Sequence, residues 1–472
     1  MQENSYQLPD INLLSVPPTV EAESMDEVLR KRDIITQTLL DFCIPGEVTE
    51  YVVGPRVTLF EITFPDEKDI AKVTMTEEIL RVRLGGGPVR IVQNDARNCV
   101  DVEVVNACPH HVHPRWMLEK CCLPRSRYGP SLVIGETSWS FKPVITALAA
   151  APHILICGAA GTGKTVLLNN IIADLLFQCR PDELKFLLID SNGVEFDSFR
   201  NLPHLLTPVI TSVDQSTAAV HWVINEIGHR YRMIGKHGAG DIREYNFPAS
   251  DQAPGDKKIP YLVVIVNEPA DLMRNDEASG QFCTMISCIT QLGAPVGIHL
   301  IVATRPRSII NAVKSNFRMR ICFQVRSCDD SKVVLNAAGA EKLSGMGDML
   351  IKWPHGNRLE RTQGACFPDG ELRRLVEFVS RQQKSESISA PPESIAPRGE
   401  EQRTAGPEVL PGDFYDAAVQ FLREGGDELF RRALGVVALE RKLSTSFLQR
   451  RLGIGYNQAS ALEAALRKLL LP

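Results

Sequence analysis

Most of the chain alternates short apolar runs with stretches of helical periodicity. Val28, Leu29, Ile34, Ile35, Thr38, Leu39 and Phe42 fall near one face of a helix over residues 26–43. Strand candidates at 48–53 and 57–64 flank Gly54-Pro55. A helix near 76–83, a break at Gly85-Gly86-Gly87-Pro88 and strands near 89–92 and 99–105 complete a small α/β unit. From about 128 to 370 the apolar runs 131–134, 153–157, 185–190, 261–266, 298–303, 320–325 and 348–351 read as strands. Helices at 164–178, 214–235, 278–292 and 331–338 lie between them, the pattern of a parallel sheet with crossover helices.

The pattern fails at both ends and once between. Residues 1–25 are polar with little periodicity and predict a disordered arm; residues 26–127 predict the small α/β domain and 128–381 the main one. Residues 382–412 carry Pro391-Pro392, Pro397 and Gly406-Pro407 with few large apolar residues, the composition of a flexible linker. Residues 413–472 predict three helices, Asp427 to Leu439, Thr445 to Leu452 and Asn457 to Leu470. The turn Leu452-Gly453-Ile454-Gly455-Tyr456 has helix-turn-helix spacing, which a DNA reader and a small interaction module share.

Composition narrows this only a little. Apolar content of 44% and charged content of 23% are those of a globular protein, and a net charge of −5 confines any nucleic-acid contact to local patches. The longest apolar runs fall short of bilayer length, so a cytoplasmic chain is expected, reaching a membrane or septum through a partner. The 12 cysteines are scattered without a C-x-x-C pair, as in a reducing compartment. Cys108, His110, His111, His113, Cys121 and Cys122 match no standard zinc spacing, so no structural metal is assigned.

The chemistry gathers at Gly158-Ala159-Ala160-Gly161-Thr162-Gly163-Lys164-Thr165, which fits G-x-x-x-x-G-K-[ST] between an apolar strand and a helix. Such a loop turns backbone N–H groups onto phosphates at a helix N-terminus. Lys164 would reach the β- and γ-phosphates of ATP, and Thr165 would hold Mg²⁺. The strand 261–266 ends in Asn267-Glu268. Glu268 is placed as general base, and Asn267 takes the metal-side position usually given to a carboxylate. The strand 298–303 ends at Thr304, a candidate γ-phosphate sensor. Arg305, Arg307, Arg318 and Arg320 follow, expected mostly to face solvent or DNA.

These stretches together resemble the motor of the FtsK/SpoIIIE family of double-stranded DNA translocases. The matching residues include Asn201-Leu202-Pro203-His204-Leu205-Leu206-Thr207, Arg230-Tyr231-Arg232-Met233, Glu244-Tyr245-Asn246, Ala270-Asp271-Leu272-Met273, Gly297-Ile298-His299-Leu300, Ala303-Thr304-Arg305-Pro306 and Gly339 to Leu350. Upstream, Gly54 to Glu61 resembles the family's small domain; downstream, Ser444 to Asn457 resembles its winged-helix domain. The resemblance implies a RecA-like P-loop NTPase, Mg·ATP as cofactor, a hexameric ring and duplex DNA as partner, in chromosome partition and cell division. It also implies DNA contacts from Arg450, Arg451, Tyr456, Asn457 and Gln458.

The sequence departs from the family pattern in four respects. Asn267 stands for an Asp, Ala294 stands where an arginine finger is expected, and the sensor segment lacks its Gln. Gln458 and Ala461 replace arginines in the recognition helix, and the sequence ends at Pro472 before a full wing. Two expectations follow: an ATP-driven translocase, or a hydrolysis-impaired paralogue that binds ATP and DNA as a scaffold or mixes into rings with an active subunit. A coupling ATPase of secretion or conjugation is a third reading, against which the C-terminal helix-turn-helix argues.

Overall fold

The computed structural model describes residues 6–382 apart from 18–22, 95–96, 110–111, 121–128, 139–140, 248–257, 270–275, 307–310, 355, 357–358 and 369. Arg450, Arg451, Tyr456, Asn457, Gln458 and the three helices predicted within 413–472 lie outside the described residues, as do Arg307 and the predicted linker beyond Gln382.

Strands β1 (Glu47–Val53), β2 (Val57–Thr63), β3 (Val89–Asn94) and β4 (Cys99–Val105) form an antiparallel sheet in the order β1-β2-β4-β3. The helix Met25–Asp41 starts where the Ser24 hydroxyl accepts the Glu27 N–H. Its Val28, Ile35 and Leu39 join Phe60, Ile62, Val100 and Val102 in one apolar core.

The second sheet has nine strands: β5 (Ser131–Thr137), β6 (Pro143–Ala147), β7 (His153–Cys157), β8 (Leu184–Asp190), β9 (Tyr261–Asn267), β10 (Ile298–Thr304), β11 (Met319–Phe323), β12 (Asp348–Lys352) and β13 (Leu359–Gly364). Their order is β6-β5-β13-β12-β11-β7-β10-β9-β8. The run from β11 to β8 is parallel. Its strands are buried along their whole length, so they carry apolar residues on both faces, as Ile154-Leu155-Ile156 and Leu262-Val263-Val264-Ile265-Val266 do. Helices Lys164–Gln178, Val213–Lys236 and Asp276–Leu292 supply connections.

The sheet is not parallel throughout, which corrects the sequence reading. From β11 onward, β12, β13, β5 and β6 pair antiparallel. Strands β6 and β13 and the helices Pro114–Lys120 and Glu371–Ser380 were not anticipated. Residues 331–338 were expected to be helical, but that helix runs Cys328–Leu335, because the Ser327 hydroxyl caps Asp330 N–H and Asn336 ends it at φ 60°. Arg320 is a second correction. It is buried, not solvent-facing, and donates to the carbonyls of Phe317 (3.0 Å) and Val334 (3.1 Å).

Candidate functional site

The strand order sets the geometry. Strand β10 lies between β7 and β9, so Thr304 ends beside Cys157, directly before the glycine-rich loop. Glu268 follows β9, and its N–H donates to Ala303 O at 2.8 Å. Lys164, Glu268 and Thr304 therefore converge at the C-terminal edge of the parallel strands. The Lys164 ammonium, buried, donates to the carbonyls of Gly158 and Ala159 at 3.0 Å each and stands 3.6 Å from Glu268 Oε1. Arg305, exposed, comes within 3.7 Å of the same carboxylate oxygen.

Glu268 has φ 46°, a left-handed backbone that a residue with a long side chain adopts only under restraint. Thr304 Oγ1 is fully buried and has no hydrogen-bond partner among the described residues. The helix starting at Lys164 has Gly163 as N-cap and no side-chain cap, so its first-turn N–H groups point into the loop unclaimed by a side chain. An orphaned hydroxyl, an uncapped helix start and a buried ammonium are a donor set that suits a polyphosphate.

The loop is held from behind. Gly163 has φ 122°, and a Cβ there would lie 3.1 Å from the Gly347 backbone. Gly347 N–H donates to Thr162 O at 3.0 Å, and Ala159 N–H to Gln324 O at 2.9 Å. Thr162 Oγ1 closes the turn onto Ala159 O at 2.8 Å. Thr165 is the second residue of the helix and half-buried; Gly161 and Ala160 form the exposed lip.

The structure also brings in residues to which the sequence reading gave no role. Gly347 packs on the loop, and Asp348 beside it is fully buried. Arg361 donates to Asp348 at 3.0 and 2.7 Å and to Glu103 of β4 at 2.7 Å. Arg90 completes the chain on Glu103 at 2.9 and 3.0 Å. Burial opposes ionisation of Glu103 and Asp348, but the guanidinium charges overcome it and hold both carboxyls below their ordinary values. Lys342 reaches Glu77 at 2.7 Å at the same seam. Asn267 is buried, with Nδ2 donating to Asp190 Oδ1 at 3.2 Å. An acid ending an apolar strand was the available signal for Asp190.

Ala294 is not near this loop. It lies on the turn Ala294–Val296 at the N-terminal ends of the strands, beside a cleft of about 220 Å³ lined with Asp241, Arg243, Tyr261 and His299. His113 takes the Arg115 N–H on Nδ1 at 3.2 Å and has Glu371 at 3.6 Å from Nε2. No described helix is long and apolar enough to cross a membrane.

Comparison with known proteins adds three family matches: the FtsK/SpoIIIE family over residues 125–309, the FtsK alpha domain over 8–106 and the Ftsk gamma domain over 424–468. The chain is 34% identical over 470 residues to the DNA translocase SftA of Bacillus subtilis, covering 98% of this chain and 46% of that protein. It is 33% identical over 466 residues to a DNA translocase FtsK of Staphylococcus aureus, covering 97% and 56%. For the FtsK of Caulobacter vibrioides the figures are 30% over 498 residues, 99% and 59%. The chain thus spans about half the length of the curated relatives it matches. Among solved structures, the pCW3 conjugation coupling protein TcpA superposes with a TM-score of 0.50 at 20% identity, covering 74% of this chain and 99% of that one. The cytoplasmic domain of the Thermomonospora curvata type VII secretion ATPase EccC gives 0.50 at 22%, covering 62% and 36%. At these identities the likeness speaks for the fold alone, an α/β fold with a P-loop.

Proposed function

The chain belongs to the FtsK/SpoIIIE family, and from that membership we propose that it is an ATP-dependent translocase of double-stranded DNA that serves chromosome segregation and cell division. The observation that carries the reading is the convergence of Lys164, Glu268 and the unpartnered Thr304 hydroxyl on one loop. Residues 158–165 would wrap the phosphates of ATP, with Lys164 moving from the Gly158 and Ala159 carbonyls onto them. Thr165 and Asn267 would hold Mg²⁺, which supplies charge neutralisation when bound. Glu268 would take a proton from the attacking water, and Thr304 would donate to the γ-phosphate or to that water.

Two substitutions would slow this step. Asn267 removes a negative charge beside the metal, and Ala294 offers no guanidinium to a neighbouring subunit. The N-terminal strand ends, where Ala294 sits, would face that neighbour in a ring, which would be homomeric or mixed with an active paralogue. Residues Arg450, Arg451, Tyr456, Asn457 and Gln458 would contact DNA.

Steady-state ATP turnover with and without long duplex DNA tests the proposal. DNA-stimulated turnover that Lys164→Ala abolishes is the expected result. Turnover indifferent to DNA would replace the motor with an ATP-gated scaffold.

A further inference from the structure

Strands β8 and β9 end side by side, and their last residues, Asp190 and Asn267, face each other in register. Both are buried, at 0% and 2% exposure. Asn267 Nδ2 donates to Asp190 Oδ1 at 3.2 Å, while Asp190 Oδ2 accepts the Glu195 N–H at 2.9 Å. A carboxylate only accepts, so this bond fixes which way the Asn267 amide faces. Its NH₂ is turned to β8 and its carbonyl oxygen is the group left for other partners. Strand β8 is three strands from β7, roughly 14 Å at about 4.8 Å per strand. Asp190 is therefore out of reach of an ion held at Thr165, and any effect it has there passes through its neighbour.

We infer that Asp190 is a positioning residue for the metal-binding half of the nucleotide site. It holds and polarises the Asn267 amide so that Oδ1 accepts from a water in the hydration shell of Mg²⁺. The work of one carboxylate is divided in two: the lone pair comes from β9 and the negative charge from β8. Without that charge the amide is free to turn and to offer a donor where an acceptor is needed. The inference rests on the ATP-site reading above and names a residue that reading does not use.

The test is titration of the full chain with a fluorescent ATP analogue, in Mg²⁺ and in EDTA; the ratio of the two affinities isolates the metal's contribution. Asp190→Asn, close to isosteric, is expected to lower that ratio about 10-fold while leaving the EDTA affinity unchanged. In an Asn267→Asp background the same change is expected to alter the ratio by less than about two-fold, because the charge is then already on β9. An unchanged ratio in Asp190→Asn overturns the inference. So does an equal loss in both backgrounds, or a fall in the EDTA affinity, each of which marks Asp190 as a purely structural strand-end cap. Lys164→Ala in the same titration judges the ATP-site reading separately: undiminished affinity there sinks that reading, whatever Asp190 does.

Discussion

One sheet is held together in two ways. From β8 to β11 its strands run parallel and are filled with Ile, Leu and Val, and their C-terminal ends carry the P-loop, Glu268 and Thr304. From β12 to β6 they run antiparallel, and beside apolar residues such as Leu132, Ile134, Leu350 and Ile351 they bury a polar set: Asp348, Arg361, Thr362, Gln363, Glu136 and Thr137. The apolar half presents the chemistry at its edge. The polar half binds the main sheet to the small one, through Arg361 between Asp348 and Glu103, and presses Gly347 on the P-loop. The difference teaches that dispersion and burial build the platform, whereas directional charge fixes where the second sheet sits against it.

Breaking the polar half should have the largest effect. Arg361→Ala leaves Asp348 buried without its guanidinium and Glu103 with Arg90 alone, and is expected to destabilise the fold by about 3–5 kcal/mol in urea unfolding. A loss below about 1 kcal/mol would mean that the network contributes only position. Lys164→Ala strikes the working edge of the apolar half. We expect ATP affinity to fall about 100-fold, the loss of charge-assisted contacts, with little change in the urea midpoint.

Acid should separate the halves by pH. Burial pushes His299 and His204 down to about 4 and His153 well below its ordinary 6.5. Between pH 6.5 and 4 the unfolded chain binds protons that the folded one refuses, so stability falls as pH falls, by roughly 1–3 kcal/mol each for His204 and His299, with His153 acting in the same direction. Glu103 and Asp348, held below 4.5 and 3.8, lose their contribution only at lower pH, as they take up protons. Asp174, pushed up to about 7 by burial, runs the other way: its effect on stability weakens the fold as pH rises from 3.8 to 7. Asp174→Asn should therefore steepen the acid loss, and urea midpoints from pH 4 to 7 check the sign.

The smallest effects sharpen the contrast. Ile265→Val, one methylene from the apolar half, is expected to weaken the fold by about 1 kcal/mol. Lys342→Ala removes the part-exposed pair with Glu77 at the seam and should change stability by less than about 1 kcal/mol, in contrast to Arg361.

This same division decides what could be read from the sequence. Strands β7 and β9 announce themselves as apolar runs, and the loop and helix after β7 follow a motif. Strand β13, Leu-Glu-Arg-Thr-Gln-Gly, has no such pattern, because Arg361 is buried by its carboxylate partners and not by hydrophobicity. Arg320 misled for the same reason: two backbone carbonyls make a buried guanidinium tolerable. In the site, Lys164, Glu268 and Thr304 were legible from where strands end. The Asp190–Asn267 contact was not, since it depends on the register of two strands whose residues lie 77 positions apart. Nor was the contact of Gly347 on the P-loop, which needs β12 beside β11.

The most direct test of the account is displacement of a third strand bound to a long DNA duplex, followed with the full chain and ATP. The account predicts displacement that requires ATP, proceeds from the free duplex end and disappears in Lys164→Ala. ATP consumption with the third strand left in place would contradict it.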